Sequence, residues 1–313
     1  MNKIKLLAVT SLLAFVTGCI DNVGSIRYCS VGDYAPDDFT VALNIAVPDG
    51  EGPFPTLVFI HGGYWAGGDL TEYSAELTDA KNRGYTAATI DYRLTAEKVD
   101  GVSKYPWDAQ LEDVKCAIRY LKANAIEHKV DIENIGVAGF SAGGHLALMA
   151  GLTTDIPRFE EEGQFQEFSS TVQAVVAFSP PTDLNTLYYS SQPQSTAQRV
   201  ANDLLGATPD QDPAIYLDVS PTNYTGNSNV PLLLLHGDAD TTVPINQSNL
   251  LVAGLQSASH PEHPMVVYEG NGHGWAGLIR AHANANMWAF FDKHLKGDNS
   301  TPLSCSPYPS CEG

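Results

Sequence analysis

Apolar residues along this chain fall into short, regularly spaced blocks. Val41, Leu43, Ile45 and Val47 alternate with other residues, which predicts a β-strand with one buried face. After the prolines Pro53 and Pro55, Thr56-Leu57-Val58-Phe59-Ile60 is a continuous run that suits a central parallel strand buried on both sides. Similar runs predict strands over residues 85–90, 135–139, 172–178, 232–235 and 265–268. Between them, Leu111, Val114, Ile118 and Leu121 recur at helical spacing and predict an amphipathic helix over 107–125. Helical character also marks residues 72–83, stopped by Gly84, and residues 142–151, 246–256 and 280–295.

Strands that alternate with helices predict a mostly parallel central sheet with helices on both faces. Residues 180–229 break that rhythm. They are rich in Ser, Thr, Gln, Asn and Pro, with one helix expected near 197–205, and read as a small polar insertion over the mouth of a site. No internal repeat is visible. The expected organisation is a signal peptide over residues 1–18, a spacer over 19–38, one α/β domain over 39–297 and a tail over 298–313.

The start of the chain changes the picture of where it works. Lys3 and Lys5 precede an apolar stretch over residues 6–16 that is short for a bilayer span. It ends in Val16-Thr17-Gly18-Cys19, which resembles the lipobox of bacterial lipoproteins and implies lipidation of Cys19. Residues 16–18 would equally suit an ordinary cleaved signal; the cysteine directly after them favours the lipoprotein. Ile20-Asp21 leaves no Asp at the second mature position, and the outer membrane is expected. Four further cysteines, Cys29, Cys116, Cys305 and Cys311, are free to pair after export. A local Cys305–Cys311 bridge across the Pro-rich tail is expected, with Cys116 as a buried thiol in its helix. With 36 acidic against 17 basic residues the net charge is −19, which repels nucleic-acid backbones and argues against that partner.

Three segments carry chemistry. Gly139-Phe140-Ser141-Ala142-Gly143 fits G-x-S-x-G between a predicted strand and a predicted helix, the context of a nucleophile elbow. His61-Gly62-Gly63-Tyr64-Trp65 follows a central strand, and its glycines would let backbone amides approach a developing oxyanion. The expected donors are the amides of Gly63, Tyr64 and Ala142, with Gly62 as the alternative, while His61 braces the loop. The third segment supplies the base and its acid. His273, in Gly270-Asn271-Gly272-His273-Gly274-Trp275, follows the last predicted strand, and the preceding loop offers Asp238 or Asp240 to orient it. Asp238 sits where it would cap a tight turn. The order Ser, Asp, His is that of the α/β-hydrolase fold.

These motifs resemble the esterase branch of the α/β-hydrolases that includes feruloyl esterase-like and hormone-sensitive-lipase-like enzymes. The resemblance rests on His61-Gly62-Gly63 with Trp65, Asp91-Tyr92-Arg93-Leu94, residues 113–121 and 139–148, Ser179-Pro180-Pro181-Thr182-Asp183-Leu184, and the Asp240 and His273 loops. It implies Asp240 as the acid, three residues before Val243-Pro244. Two features depart from the pattern: Tyr64 replaces a third glycine, and the N-terminal cap helices of the lipase branch are missing. The His-Gly-Gly-x-Trp form is shared with kynurenine formamidases, so amide substrates stay open. Asp91-Tyr92-Arg93 is expected either to support the oxyanion loop or to be a plain surface pair.

The resulting expectation is a serine carboxylesterase that forms an acyl-enzyme at Ser141. Its substrates would be short-acyl or aryl (feruloyl, acetyl) esters, including esters on plant polysaccharides. Trp65 and Trp275 would either offer flat surfaces to the substrate or pack in the core. No metal or organic cofactor is implied. The alternatives are an amide hydrolase such as an arylformamidase or small peptidase, and a non-catalytic surface binding protein on the same fold.

Overall fold

The alternating apolar blocks build a nine-stranded sheet in the computed structural model, which describes residues 26–30, 40–304 except 101, 106, 162, 192 and 193, and 309–312. Its strands are β1 (Ile26–Ser30), β2 (Thr40–Ala46), β3 (Phe54–Ile60), β4 (Thr86–Ile90), β5 (Val130–Phe140), β6 (Ala174–Phe178), β7 (Leu232–Gly237), β8 (Met265–Tyr268) and β9 (Pro309–Glu312). The spatial order is β1-β2-β4-β3-β5-β6-β7-β8-β9. From β4 to β8 every pairing is parallel; β1, β2 and β9 run antiparallel at the two edges. Parallel pairing points the C-terminal ends of β3, β5, β7 and β8 the same way, so the loops that follow them meet at one rim.

Both faces are covered. Helices α1 (Ser74–Asn82) and α5 (Gly277–Lys296) lie on one side, where Ala80, Trp288, Phe290 and Phe291 pack against Phe59 and Ala138. Helices α2 (Trp107–Ala123), α3 (Ala142–Leu152) and α4 (Asn246–Ser257) lie on the other, with Val114, Leu146 and Leu251 against Val58, Val137 and Val175. β6 is buried at all five positions, as its unbroken apolar run requires.

Several expectations change. Residues 26–30 are a strand and not spacer, and 309–312 in the tail are a second edge strand. Each is four or five residues long, too short for alternation to announce it, and each is defined by its neighbour. Cys116 is not a free thiol. It is bonded to Cys29, which ties β1 to α2 across a separation of 87 residues. The bridge closes a long loop, and in the chain-entropy account such a link is worth about 4.6 kcal/mol. Residues 1–18, Cys19 and Cys305 lie outside the described residues, as does the side chain of Cys311, so the expected tail bridge does too. The polar insertion holds more helix than expected: Leu184–Ser190, Ser195–Arg199 continuing as a π-helical turn over Val200–Leu205, and Pro213–Asp218. These pieces are too short for periodicity to register, yet Leu184, Leu187, Val200, Leu204 and Tyr216 are all buried beneath them. Among the described residues no helix is long and apolar enough to cross a membrane.

Candidate active site

Ser141 sits at the turn between β5 and α3 with φ 56° and ψ −118°, a left-handed backbone that L side chains rarely adopt. The turn can be this sharp because its neighbours are glycines. A Cβ at Gly139 would lie 2.2 Å from the Gly143 carbonyl oxygen, and one at Gly143 would lie 2.1 Å from that of Ile60. The Ser141 amide donates to Phe178 O at 2.8 Å, so β6 also holds the turn.

The loops after β7 and β8 complete a relay. His273 Nε2 is 3.0 Å from Ser141 Oγ, and His273 Nδ1 is 2.7 Å from Asp240 Oδ2. Asp240 is buried, and its other oxygen accepts the amides of Thr242 and Val243, both at 2.9 Å. Burial pushes this carboxyl up, but the N–H groups of His236 and His273 and the Val243 amide outweigh it and hold the acid well below the usual carboxylate range. Asp240 is therefore ionised whenever the imidazole needs it. Asp238 does a different job: its Oδ1 accepts the Gly270 amide at 2.6 Å, clasping the two loops together from the exposed side. Of the two aspartates, only Asp240 reaches His273.

His61 to Trp65 border the serine. Gly62 packs so closely that an added Cβ would stand 3.5 Å from Ser141 Cβ. Gly63, Tyr64 and Trp65 all have positive φ, at 108°, 58° and 57°. The Gly63 carbonyl is occupied by the amides of Ala66 and Gly67. The amides of Gly63, Tyr64 and Ala142 have no acceptor among the described residues, which leaves them available to a substrate oxygen. The Ala142 amide opens helix α3, where the helix dipole adds positive potential.

A buried network holds this loop. His61 Nδ1 donates to Gly62 O at 2.8 Å, and its ring stacks on Tyr92 at 4.2 Å between centroids. Tyr92 in turn donates from its hydroxyl to His61 O at 3.0 Å. Asp91 Oδ1 accepts the Leu70 amide at 2.8 Å. Arg93, only 2% exposed, pairs with Asp113 at 2.9 Å and Glu112 at 2.7 Å. Asp91-Tyr92-Arg93 is thus loop support and not a surface pair.

The two tryptophans part company. Trp65 is 2% exposed and donates from Nε1 to His145 Nδ1 at 3.2 Å, so it is a strut and not a substrate surface. Trp275 is half-buried, packs on Tyr268 and Phe178, and lines a cavity of about 230 Å³ together with Phe140, Tyr73 and Met287. Phe140 also lies against the His273 ring, 4.8 Å between centroids, so this cavity adjoins the relay.

The BD-FAE family description matches residues 43–255. The chain belongs to the BD-FAE family. It is similar to Esterase LipC of Mycobacterium tuberculosis, 31% identical over 231 residues that cover 71% of this chain and 53% of that protein. LipM of the same organism, named a probable carboxylic ester hydrolase, is 30% identical over 259 residues, 77% of this chain and 55% of that protein. This BD-FAE member therefore spans about half the length of the curated relatives it matches. Among solved structures, the thermophilic esterase Est2 of Thermogutta terrifontis superposes with a TM-score of 0.66 at 25% identity, covering 85% of this chain and 92% of that one. A bifunctional GH43-CE protein of Bacteroides eggerthii gives a TM-score of 0.67 at 25% identity over 86% of this chain and 38% of that one. The α/β-hydrolase fold follows.

Two histidines escape motif reading. His236, at 0% exposure, contacts Ser248 Oγ through Nδ1 at 2.7 Å, and its Nε2–H donates to Val243 O at 2.8 Å while lying 3.6 Å from Asp240 Oδ2. It backs the acid. His145, on α3, accepts the Trp65 indole and donates from Nε2 to Val219 O at 2.7 Å, joining the oxyanion loop to the insertion. The available signal was a single imidazole at the end of an apolar strand run in one case and inside a small-residue helix in the other.

Two outcomes are expected. Replacing Asp240 by Asn should lower kcat by about 10⁴ through loss of the correct imidazole tautomer, whereas Asp238→Asn should cost stability and little turnover; steady-state kinetics and urea melts of both variants decide. Burial lowers the His145 imidazole from its ordinary 6.5 to about 4, so the folded chain favours its neutral form. The stability this supplies is fully present above the ordinary value and is lost as pH falls towards the lowered one. Urea unfolding of the wild type should weaken over that interval, and His145→Gln, less stable at neutral pH, should lack this part of the slope.

Proposed function

We propose that this chain is a serine carboxylic-ester hydrolase. The observation that carries the reading is the hydrogen-bonded relay from Asp240 through His273 to Ser141, ending beside three amides that have no acceptor among the described residues. In the forward step Ser141 Oγ attacks the ester carbonyl carbon while His273 Nε2 takes the hydroxyl proton. The carbonyl oxygen becomes negative and is met by the amides of Gly63, Tyr64 and Ala142. When the C–O bond breaks, the imidazolium gives its proton to the departing alcohol and Ser141 is left acylated. Water then attacks with His273 as base, and the proton returns to Ser141 Oγ as the acid leaves. The sequence similarity to Esterase LipC and the structural similarity to the esterase Est2 support the same reading.

For substrate we propose short-acyl or aryl esters, including those on plant polysaccharides, over long-chain lipids. The 230 Å³ cavity beside the His273 loop has aromatic walls in Phe140, Phe178 and Trp275 and a polar side in Glu72, Arg280 and Asn284. That lining and size suit a flat ring or a short chain bearing polar groups. The insertion exposes few large apolar side chains, Tyr189 and Leu217 among them, which is little to engage an oil interface. A fluorophosphonate probe should label the wild type and not Ser141→Ala. In a chain-length series of nitrophenyl esters run beside methyl ferulate, activity should peak at short acyl groups or at ferulate. Rates that climb towards long chains with interfacial activation would refute the substrate class, and a preference for N-formylkynurenine over every ester would mark an amide hydrolase instead.

We also propose that Cys19 carries the lipid that anchors the protein to the cell envelope, most simply the outer membrane. Val16-Thr17-Gly18-Cys19 supports this, and the Cys29–Cys116 bridge fits an oxidising compartment. Cys19→Ser should shift the protein from the membrane fraction to the soluble one or stall its processing; unchanged fractionation with normal processing would rule the anchor out.

A further inference from the structure

Tyr64 is costly where it stands. Its φ of 58° lies in the left-handed region, where a glycine would be unstrained and a tyrosine is not. Its ring meets the insertion through Arg199, whose guanidinium lies over it, 5.2 Å from the centroid. Arg199 is exposed at the end of the helix Ser195–Arg199. Its natural partner one turn on, Asp203, is committed to Lys98 at 2.6 Å. Among the described residues no carboxylate lies within salt-bridge distance of Arg199.

That arrangement is unusual for so acidic a chain. With 36 acidic and 17 basic residues, an anionic substrate approaches against a repulsive field unless a local cation offsets it. A guanidinium over an aromatic ring keeps its N–H edge free to donate to a planar anion. Its platform, Tyr64, is two residues from Gly62, where an added Cβ would stand 3.5 Å from Ser141 Cβ. The Tyr64 amide is one of the unpaired donors of that loop, so the ring that carries Arg199 belongs to the segment bordering the serine.

We propose that Arg199, held on Tyr64, is a specificity-determining residue that recognises a carboxylate borne by the ester substrate. The inference rests on the esterase reading and narrows its substrate class to esters that carry an acidic group near the scissile bond. The insertion thus contributes a binding residue, and Tyr64 serves twice, through its amide towards the oxyanion and through its ring beneath the guanidinium.

The test uses pairs of esters of equal shape that differ only in charge. One pair is 3-carboxyphenyl acetate and 3-carbamoylphenyl acetate, with the charge on the alcohol side. The other is monomethyl terephthalate and methyl 4-carbamoylbenzoate, with the charge on the acid side. Wild type should favour the carboxylate member of at least one pair by about tenfold in kcat/KM, carried mainly by KM, and about 0.5 M NaCl should shrink the ratio. Arg199→Gln should abolish the preference and Arg199→Glu should invert it. Equal kcat/KM within both pairs, or a preference that survives in Arg199→Gln, would overturn the assignment while leaving the esterase reading intact. Failure of the wild type to cleave any member, together with no labelling by a fluorophosphonate, would instead remove the esterase reading and this inference with it.

Discussion

The site depends on one strained residue. Ser141 holds a left-handed backbone between β5 and α3, and such a conformation costs on the order of 1–3 kcal/mol, so surrounding packing has to enforce it. The packing is visible at Gly139 and Gly143, where the chain doubles back until backbone touches backbone and β3 presses from the side. The parallel sheet makes this possible. β3, β5 and β6 lie side by side in register, so the Ile60 carbonyl, the turn and the Phe178 carbonyl reach one point without any long connection. Relaxing the turn would withdraw the serine from His273 and move the Ala142 amide away from Gly63.

The oxyanion loop poses the opposite problem. Three consecutive residues of positive φ have no regular structure to hold them, and the amides of Gly63 and Tyr64 have to remain unpaired. The solution is to satisfy everything else. Tyr92 occupies the carbonyls of His61 and Gly62, Thr95 donates to Trp65 O, and the Trp65 indole is tied to His145. Beneath them the Arg93 side chain, surrounded by Asp113, Glu112 and the Ala109 carbonyl, fixes the segment that carries Tyr92. A buried ion pair of this kind adds little net stability against an apolar replacement, but losing one partner costs several kcal/mol, so it specifies geometry more than it strengthens the fold.

The central strands, the elbow and the chain order of the three site loops were legible because each has a strong local signature. β3, β6 and β7 are unbroken apolar runs, and Gly139 to Gly143 can serve few purposes other than a sharp turn. Choosing Asp240 over Asp238 needed the family resemblance, since both are aspartates on the same turn and only their orientation separates them. The edge strands and the Cys29–Cys116 bridge were illegible for another reason. Ile26 to Ser30 has no pattern of its own and becomes a strand because β2 offers it a free edge, while α2 brings Cys116 within bonding distance of Cys29. His145 and His236 were missed on similar grounds: a lone histidine in an apolar segment acquires a role only when the partners across 74 or 12 residues are known.

The insertion is the part of the chain with least regular pattern, yet it is fastened to the catalytic framework at several points. Val219 O accepts from His145, which also receives the Trp65 indole. Thr182 and Asp183 both donate their amides to Gln247 Oε1, at the start of the helix that follows the Asp240 loop. Arg199 lies over Tyr64. These tethers run separately to the oxyanion loop, the elbow helix and the acid loop, so the insertion cannot shift as a unit without disturbing at least one of them. A segment free to open and close would be expected to touch the framework at its two ends alone. The attachment here instead makes it a wall tied at separate points to the loop of Tyr64, to the helix of His145 and to the helix of Gln247.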